Sequence, residues 1–225
     1  MSETPSAPSG AVGPPDLGTT APASPRRPKG QRTRRKIIDA AEQVFAAVGY
    51  HDASIVKITE AADVAQGTFY LYFASKLEVF EEVVADLNQR VRHAMSEASR
   101  AATNRLEAER LGFAGFFRFT AEHPALYRVI RQAEFVSPRA LRHHYETIIG
   151  NYAPYLREAM ASGEITPTDP MVLAWSLAAI GEMIGLRWIL WNEEREVPPA
   201  VFEQMMVIVS RMLGVEREVT DEEPV

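Results

Sequence analysis

Apolar residues recur along most of this chain at intervals of three or four, which is the spacing of an amphipathic α-helix. Alternating runs of β-branched residues, the pattern of a half-buried strand, do not occur. Glycine and proline separate the periodic segments. The pattern therefore predicts an all-α protein with about nine helices. On the first helix, the shared apolar face consists of Ile37, Ala41, Val44, Phe45 and Val48.

Helix boundaries can be predicted from capping residues and from the positions of glycine and proline. Ser54 and Ser75 are candidate N-caps, whereas Gly49, Gly163 and Gly214 suit the position after a helix end. The expected helices cover about 31–48, 54–61, 66–72, 75–102, 105–122, 124–136, 138–162, 170–194 and 199–213.

Positive charge is concentrated near the N-terminus of an otherwise acidic chain. The net charge is −6, whereas residues 26–76 hold nine lysines and arginines against five carboxylates. A basic region of this kind favours contact with phosphates, although a solvated charged face explains the same pattern. The basic arm that precedes and opens the first helix consists of Arg26, Arg27, Lys29, Arg32, Arg34 and Arg35.

Residues 54–76 read SIVKITEAADVAQGTFYLYFASK, which is typical of two short helices joined by a turn. The turn is expected at residues 62–64, and Phe69 and Phe73 are expected to point into the core. A helix-turn-helix of this kind places its second helix in the major groove of DNA. The chain is therefore predicted to bind double-stranded DNA.

Within this segment, residues 62–76 resemble the recognition segment of the tetracycline-repressor (TetR) family. The likeness rests on the spacing Gly-Thr-Phe-Tyr-x-Tyr-Phe-x-Ser-Lys and extends over about residues 32–77. It implies an N-terminal three-helix DNA-binding domain, a C-terminal helical domain for ligand binding and dimerisation, and a palindromic operator. The earlier residues that carry the likeness are Ile37, Ala41, Phe45, Gly49, Tyr50, Ser54 and Ile55.

The residue types of the second motif helix suit contact with DNA. Gln66 can bond an adenine edge in the bidentate way, and Gly67 permits close approach to the groove. Thr68 and Tyr70 offer hydroxyls to phosphates or base edges, and the resemblance implies a phosphate contact for Lys76. The full set of predicted DNA contacts is Ser54, Gln66, Gly67, Thr68, Tyr70, Tyr72, Lys76, Arg32 and Arg34.

The motif departs from the family pattern at two positions. Asp63 replaces the usual turn glycine, and aspartate tolerates the left-handed region better than most residues. Ala65 replaces the usual serine or threonine, so the third helix lacks a side-chain cap worth about 1 kcal/mol. A purely structural role in the core is the alternative for Tyr70 and Tyr72.

The eighth predicted helix is apolar enough to suggest a membrane span, but Glu182 and Arg187 in its middle would be costly in lipid. Its stripe of small residues would instead let two helices approach closely. Together with the apolar ninth helix, it predicts a four-helix homodimer interface, which the resemblance also implies; interior helices of a monomer are the alternative. The predicted interface consists of Ala174, Ala178, Gly181, Gly185, Phe202, Met205 and Val209.

Aromatic residues in the middle of the chain are candidates for an apolar ligand pocket with a few polar groups. A plain hydrophobic core is the alternative for each of them. The pocket would bind a largely apolar or aromatic effector with one polar or anionic head. The candidate pocket residues are Phe113, Phe117, Tyr127, Arg131, Glu134, Tyr152, Trp175 and Met183.

Signals of catalysis are weak. The chain has no phosphate-binding glycine loop and no HExxH motif, and the spacing of its histidines does not suit a metal. No catalytic residue, metal site or cofactor is therefore predicted. The absence of cysteine and of an N-terminal apolar segment favours a cytoplasmic location.

The sequence thus predicts a homodimeric transcriptional regulator, most simply a repressor that a small effector releases from a palindromic operator. An all-helical enzyme or an interaction protein with a vestigial helix-turn-helix is the alternative. The expected domains are a disordered segment at 1–30, a DNA-binding domain at 31–76, an effector-binding and dimerisation domain at 77–214, and an acidic tail at 215–225.

Overall fold

The computed structural model describes residues 28–215. Arg26 and Arg27 of the basic arm, and all but the first residue of the predicted acidic tail, lie outside this range. Every regular element between residues 28 and 215 is helical, which confirms the all-α prediction. The helices are α1 (Pro28–Asp52), α2 (Ile55–Ala61), α3 (Gln66–Phe69), α4 (Lys76–Ser99), α5 (Arg105–Glu122), α6 (Ala125–Val136), α7 (Pro138–Ala161), α8 (Pro170–Gly185), a π-helical turn (Leu186–Leu190) and α9 (Pro199–Leu213).

Several helix ends coincide with the predicted capping residues. The Ser54 hydroxyl oxygen accepts a hydrogen bond from the Lys57 amide at 3.2 Å, and that of Ser75 accepts one from the Glu78 amide at 3.1 Å. Gly214 ends α9 in the left-handed conformation, with φ 68° and ψ 27°. These contacts satisfy amides and carbonyls that a helix end would otherwise leave unpaired.

Three helices, α3, α4 and α8, end earlier than predicted. After α3, the Tyr72 amide donates to the Phe69 carbonyl at 2.9 Å, so the chain tightens into an i→i+3 turn instead of continuing the helix. α8 gives way at Gly185 to the π-helical turn, where the Trp191 amide donates to the Leu186 carbonyl at 3.1 Å. The wider turn leaves Leu186 buried at the end of the helix.

Gly49 interrupts α1 as predicted, with φ 79° and ψ 163°, although one further helical turn follows it. A side chain from α6 closes the interruption. The Gln132 side-chain oxygen accepts a hydrogen bond from the Tyr50 amide at 2.6 Å, and its nitrogen donates to the Phe45 carbonyl at 3.2 Å. The end of α1 is therefore bonded to α6 through Gln132.

The apolar side chains form two buried clusters. One unites α1, α2 and α3 with α4 and α6, so the helix-turn-helix shares its core with helices of the C-terminal body. Its aromatic centre is Phe80 of α4, whose ring centroid lies 5.2 Å from those of both Phe45 and Tyr50. The other cluster joins α5, α7, α8 and α9.

Ion pairs add to the contact between α1 and α4. Arginines and carboxylates alternate between the two helices along this seam. Exposed pairs contribute only about 0.2–1 kcal/mol each, but several in one network resist sliding of one helix along the other. The pairs are Arg34–Glu82 at 2.7 Å, Arg90–Glu42 at 2.6 Å, and Arg35 with Asp86.

One helical stretch among residues 28–215, Pro170–Leu190, is long and apolar enough to cross a membrane by length and composition alone. Leu173, Ala174 and Leu177 on this stretch are buried within the protein. Core helices meet the same criterion, so the stretch is weak evidence for a membrane span.

Gly49 combines a positive φ with an extended ψ, a region that glycine occupies almost alone. We expect Gly49→Ala to lower the free energy of unfolding by about 1–3 kcal/mol. Urea titration followed by circular dichroism, at fixed protein concentration, measures the change. Gly150→Ala in α7 is the matched control, because a Cβ there would meet nothing within 4 Å. An equal loss in both variants would contradict the assignment of strain to Gly49.

Candidate DNA interface and ligand cavities

The turn between α2 and α3 has the geometry expected of a helix-turn-helix. Asp63 takes a φ of 52°, so this aspartate does adopt the left-handed conformation that the turn requires. The Val64 amide donates to the Thr59 carbonyl at 3.0 Å and closes the turn. Ala65 begins α3 without a side-chain hydrogen bond, as its lack of a hydroxyl predicts.

The residues of α3 and the turn after it divide their side chains between the core and solvent. Phe69 and Phe73 are buried, with ring centroids 5.6 Å apart, which confirms their predicted place in the core. Gln66 and Gly67 are exposed, and Tyr70 is 53% exposed. The buried rings thus support an accessible polar surface made of Gln66, Gly67 and Tyr70, which we call the α3 surface.

Other predicted DNA contacts border the α3 surface. Ser54 and Thr68 are half-buried. The Ser54 oxygen accepts an amide hydrogen bond, and its hydroxyl hydrogen can still be donated to a phosphate. The Tyr72 hydroxyl lies beside Gly30, and Arg32 is exposed two residues further on. The start of α1 and the turn after α3 therefore lie on the same side of the domain.

Arg34, another predicted DNA contact, is already bonded to side chains of the same protein. Its guanidinium group pairs with Glu82 of α4 at 2.7 Å and lies 5.1 Å from the ring centroid of Phe73. An ion pair of this kind competes with a phosphate for the same donor groups.

Lys76 has partners that the sequence did not indicate. Its ammonium group donates to the carbonyl oxygens of Tyr50 and Ala53, both at 2.7 Å, and to that of His51 at 3.4 Å. The same group lies 4.3 Å from the ring centroid of Tyr50. Lys76 at the head of α4 therefore joins α4 to the segment between α1 and α2. The predicted phosphate contact requires these hydrogen bonds to be exchanged, because an ammonium has only three hydrogens to donate.

Two adjoining cavities lie among the helices of the C-terminal body. The first, which we call the apolar cavity, has a volume of about 90 Å³ and includes Tyr127, Tyr145 and Gly181 in its lining. The second, which we call the arginine cavity, has a volume of about 490 Å³ and is lined by three arginines. The arginines are Arg92, Arg100 and Arg105, and the wall shared by both cavities consists of Met95, Phe113, Ile148 and Ala178.

A buried carboxylate stands in the arginine cavity. Glu109 lies 2.9 Å from the Arg105 Nε atom and accepts a hydrogen bond from the Tyr152 hydroxyl. Burial raises the pKa of the Glu109 carboxyl, while Arg105 and the Tyr152 hydroxyl oppose that increase. Burial and the nearby Glu109 charge raise the pKa of the Tyr152 hydroxyl. The Glu109 carboxylate is thus buried against one cation and one hydroxyl at the wall of the cavity.

The apolar cavity holds one carboxylate and one guanidinium group. The Tyr145 hydroxyl lies 2.9 Å from both carboxylate oxygens of Glu182, and the Tyr127 hydroxyl donates to the Glu182 carbonyl at 2.9 Å. Arg131 lines the same cavity. Burial, followed by the charge of Glu182, raises the pKa of both tyrosines, so both hydroxyls stay protonated and available as donors.

A polar network joins α4 to α7 beside the cavities. The Arg92 Nε atom donates to the Asn88 side-chain oxygen at 2.7 Å, and the Asn88 nitrogen donates to the His144 carbonyl at 2.9 Å. The same nitrogen lies 2.9 Å from His144 Nδ1. Burial, with the charges of Arg92 and His143, lowers the pKa of His144 to about 4. His144 is therefore neutral near pH 7, and its Nδ1 can accept the hydrogen bond from Asn88.

The comparisons with known proteins agree with this geometry. Residues 37–83 match the model of the bacterial regulatory proteins of the tetR family. The chain is 30% identical over 181 residues to TcmR, an HTH-type transcriptional regulator of Streptomyces glaucescens, and the match covers 73% of this chain and 76% of TcmR. The chain belongs to the TetR family.

Further relatives differ in how much of the chain they match. YdgC of Bacillus subtilis, described as an uncharacterised HTH-type transcriptional regulator, is 41% identical over 64 residues, which cover 28% of this chain and 33% of YdgC. The solved structure of FadR from Bacillus subtilis in complex with stearoyl-CoA shares the fold, with a TM-score of 0.68 and 23% identity. The alignment covers 81% of this chain and 99% of that FadR chain. This TetR-family protein is a helix-turn-helix transcriptional regulator, and its relatives are regulators and not enzymes.

In this TetR-family regulator, half of the predicted pocket residues line a cavity. The structure brings Phe113, Tyr127 and Arg131 to the apolar cavity, and Tyr152 to the arginine cavity, which Phe113 also lines. The other four side chains line neither cavity, so their place in a ligand site stays a prediction. Phe117 is buried with its ring centroid 6.2 Å from that of Phe202, Glu134 is exposed, and Trp175 and Met183 are exposed on α8.

Most of the predicted dimer residues pack within the subunit, and their part in a dimer interface stays a prediction. A Cβ on Gly181 would lie 2.8 Å from the Phe113 ring, and one on Gly185 would collide with the Tyr127 hydroxyl. The small residues therefore allow aromatic rings of α5 and α6 to approach α8 in the same chain. Ala174, Met205 and Val209 are buried, and Ala178 and Phe202 are half-buried.

No sequence-based prediction includes Arg92, Arg105 or Glu109. Arg105 and Glu109 gave one usable signal, because they stand four residues apart on one helix, which is the spacing of a helical ion pair. Arg92 gave none, since its place in the cavity depends on how α4 and α5 pack.

Lys76 provides a test of the structural role found for it. We expect Lys76→Met to lower the free energy of unfolding without DNA by about 1–3 kcal/mol, because carbonyls lose a charged donor. Urea titration measures the change, and Lys36→Met, at an exposed lysine of α1, is the control. If both variants are equally stable, Lys76 does not hold α4 to the helix-turn-helix.

Proposed function

We propose that this protein is a homodimeric transcriptional repressor that a small, largely apolar effector releases from a palindromic operator. The α3 surface carries this proposal, because a bidentate amide, a glycine and an exposed tyrosine stand together on a rigidly buried pair of rings. Two such surfaces would enter successive major grooves about 34–36 Å apart, one turn of DNA.

Each predicted DNA contact takes a role suited to its surroundings. Gln66 reads a base edge, and Tyr70 bonds a phosphate or a base beside it. Gly67 allows the helix to approach the groove. Arg34 and Lys76 contribute only if they exchange their present partners. The phosphate contacts proposed around the α3 surface are Ser54, Thr68, Tyr72 and Arg32.

The second subunit is proposed to cover the outer face of α8. Val172, Trp175 and Met183 are exposed there at helical spacing, and Met171 is exposed beside them. On α9, Ile208 is exposed to 52%. Apolar faces of this kind on two helices suit a four-helix contact between identical chains, which brings both α3 surfaces to one side of a two-fold axis.

Effector binding would act on DNA through α4 and α6. α6 contributes Tyr127 and Arg131 to the apolar cavity, and the next residue, Gln132, is bonded to the end of α1. α4 lines both cavities and is tied to the helix-turn-helix through Lys76. To move the population from 1:99 to 99:1, an effector must favour the released state by about 5.5 kcal/mol.

The side chains that line the cavities support an apolar effector. Aromatic and aliphatic side chains make up most of the shared wall and of the apolar cavity. The fold of the stearoyl-CoA complex of FadR also accommodates a long hydrocarbon chain. With this proposal go a DNA-binding domain at 31–76, an effector-binding and dimerisation domain at 77–214, and a cytoplasmic location, where the operator would be found.

Operator binding can be tested with a library of random duplexes. Selection from the library should yield a palindrome, and a gel shift with that duplex should show specific binding. The double variant Gln66→Ala/Tyr70→Ala should lose specific binding but keep its oligomeric state, because each bidentate base contact contributes about 1–3 kcal/mol. Phe135→Ala, at an exposed aromatic residue of α6, is the control. Unchanged operator affinity in the double variant would reject the role of the α3 surface.

Dimerisation through α8 can be tested separately. We expect Trp175→Glu/Met183→Glu to produce a folded monomer. In a dimer, the two new carboxylates of each subunit would be buried in the interface without partners, which is costly. Light scattering after size-exclusion chromatography gives the mass in solution. Phe135→Glu should leave the dimer intact, and a dimer in the α8 double variant would place the interface elsewhere.

A further inference from the structure

The two cavities differ in their charge. The arginine cavity is lined by three guanidinium groups and one carboxylate, and that carboxylate, Glu109, is already bound by Arg105 and Tyr152. Arg92 is bonded to the neutral Asn88, and Arg100 pairs with Glu97, which does not line the cavity, so the lining itself carries an excess of positive charge. The apolar cavity carries one charge of each sign, Arg131 and Glu182.

We propose that the two cavities form one bipartite site for a single-chain amphiphile with an anionic head. The head lies in the arginine cavity against Arg92 and Arg100, and the hydrocarbon chain fills the rest of that cavity, which has a volume of about 490 Å³. Only the end of the chain extends past the shared wall into the smaller apolar cavity. This inference rests on the proposed function, since it names the chemical class of the effector and the residues that read it.

An anionic head fits the side chains better than a cationic one. In the arginine cavity the carboxylate is already paired, because Glu109 is bound by Arg105. In the apolar cavity the guanidinium group of Arg131 offsets the charge of Glu182. Guanidinium groups, by contrast, bind carboxylates and phosphates through paired hydrogen bonds. Arg100 pairs with Glu97, but its side chain is mostly exposed, so it can turn towards a ligand at little cost.

The shared wall provides the passage for the chain. Met95 and Phe113 line both cavities, together with Ile148 and Ala178. Methionine is flexible and adapts its shape to apolar partners, so movement of Met95 would join the two volumes without breaking a polar contact. The side chain of Met95 is itself only partly buried.

Arg92 connects the head of the ligand to α4. Its Nε atom is bonded to Asn88, which is in turn bonded to His144 of α7. A head group that draws the Arg92 guanidinium towards itself competes with this bond and so changes the contact between α4 and α7. Recognition of the head and displacement of α4 thus depend on the same side chain.

Calorimetric titration of the full chain with dodecyl compounds tests the proposal. Dodecanoate, dodecyl phosphate and dodecanoyl-CoA share an anionic head, and their comparison tells a carboxylate source from a phosphate source. Dodecanol and dodecyltrimethylammonium share only the chain, and coenzyme A lacks the chain. We expect at least one anionic compound to bind about tenfold or more tightly than these three. Equal binding of all dodecyl compounds, or binding of none, would overturn the proposal.

Substitutions assign the two parts of the site. Arg92→Gln/Arg100→Gln should weaken the anionic ligand about tenfold or more while leaving dodecanol unchanged. Arg118→Gln, at an exposed arginine of α5 that lines neither cavity, is the matched control. Ala178→Leu should weaken every dodecyl compound by filling the passage, with Ala114→Leu as its control. If the double variant does not fold, Arg100→Gln alone is compared with Arg118→Gln. Equal ligand affinity in a variant and its control would reject the role given to the substituted residues.

Operator binding separates this proposal from the proposed function. If the chain selects a palindrome but no anionic dodecyl compound binds, the ligand inference fails and the DNA function stands. If an anionic compound binds but no duplex is preferred, the ligand site stands and the proposed DNA function fails.

Discussion

The ring of Phe80 lies between α1 and the body of the protein, with its centroid 5.2 Å from those of Phe45 and Tyr50. Around it, hydrophobic burial joins α4 to the helix-turn-helix in one continuous core. The Lys76 ammonium and the Gln132 amide fix the polar ends of the same contact. Because packed cores switch between discrete arrangements instead of bending smoothly, a shift of α4 would carry α3 with it. A DNA reader attached by a flexible linker could not report on a distant cavity in this way.

Close packing also accounts for the aromatic residues of α5 and the small residues of α8. Gly181 lets the Phe113 ring approach the backbone of α8, and Gly185 admits the Tyr127 hydroxyl. The Phe113 and Tyr127 rings that border the apolar cavity therefore pack tightly against α8. On the other side of the cavity, α4 contributes Met95, whose side chain is flexible. If an effector binds there, as proposed, a site with one rigid wall and one adaptable wall would direct the response towards the adaptable side.

Most of the fold could be predicted from local signals. The caps at Ser54 and Ser75 and the interruption at Gly49 depend on a few neighbouring residues, so the sequence is sufficient for them. The choice of which apolar face of α8 turns inward is different in kind, because α8 is apolar nearly all round and its two faces have similar composition. Periodicity alone therefore predicts that Trp175 and Met183 line a pocket and that Gly181 contacts a second subunit. In the structure the first two are exposed, and Gly181 packs against Phe113 of the same chain. The partners of Lys76 and the meeting of Arg92 with Arg105 also require tertiary packing that periodicity does not contain.

Glu109 poses an energetic question that stability alone does not answer. A buried ion pair gains little over well-packed apolar residues of the same size, since desolvation of both charges offsets their attraction. The Arg105–Glu109 pair nevertheless lies beside a cavity, where apolar side chains could have filled the space. A charged lining disfavours collapse into a dry core, because a guanidinium group needs water or an anion when apolar side chains surround it. The pair is best understood as one cation neutralised in place, so that the neighbouring Arg92 and Arg100 give the site a defined excess of positive charge.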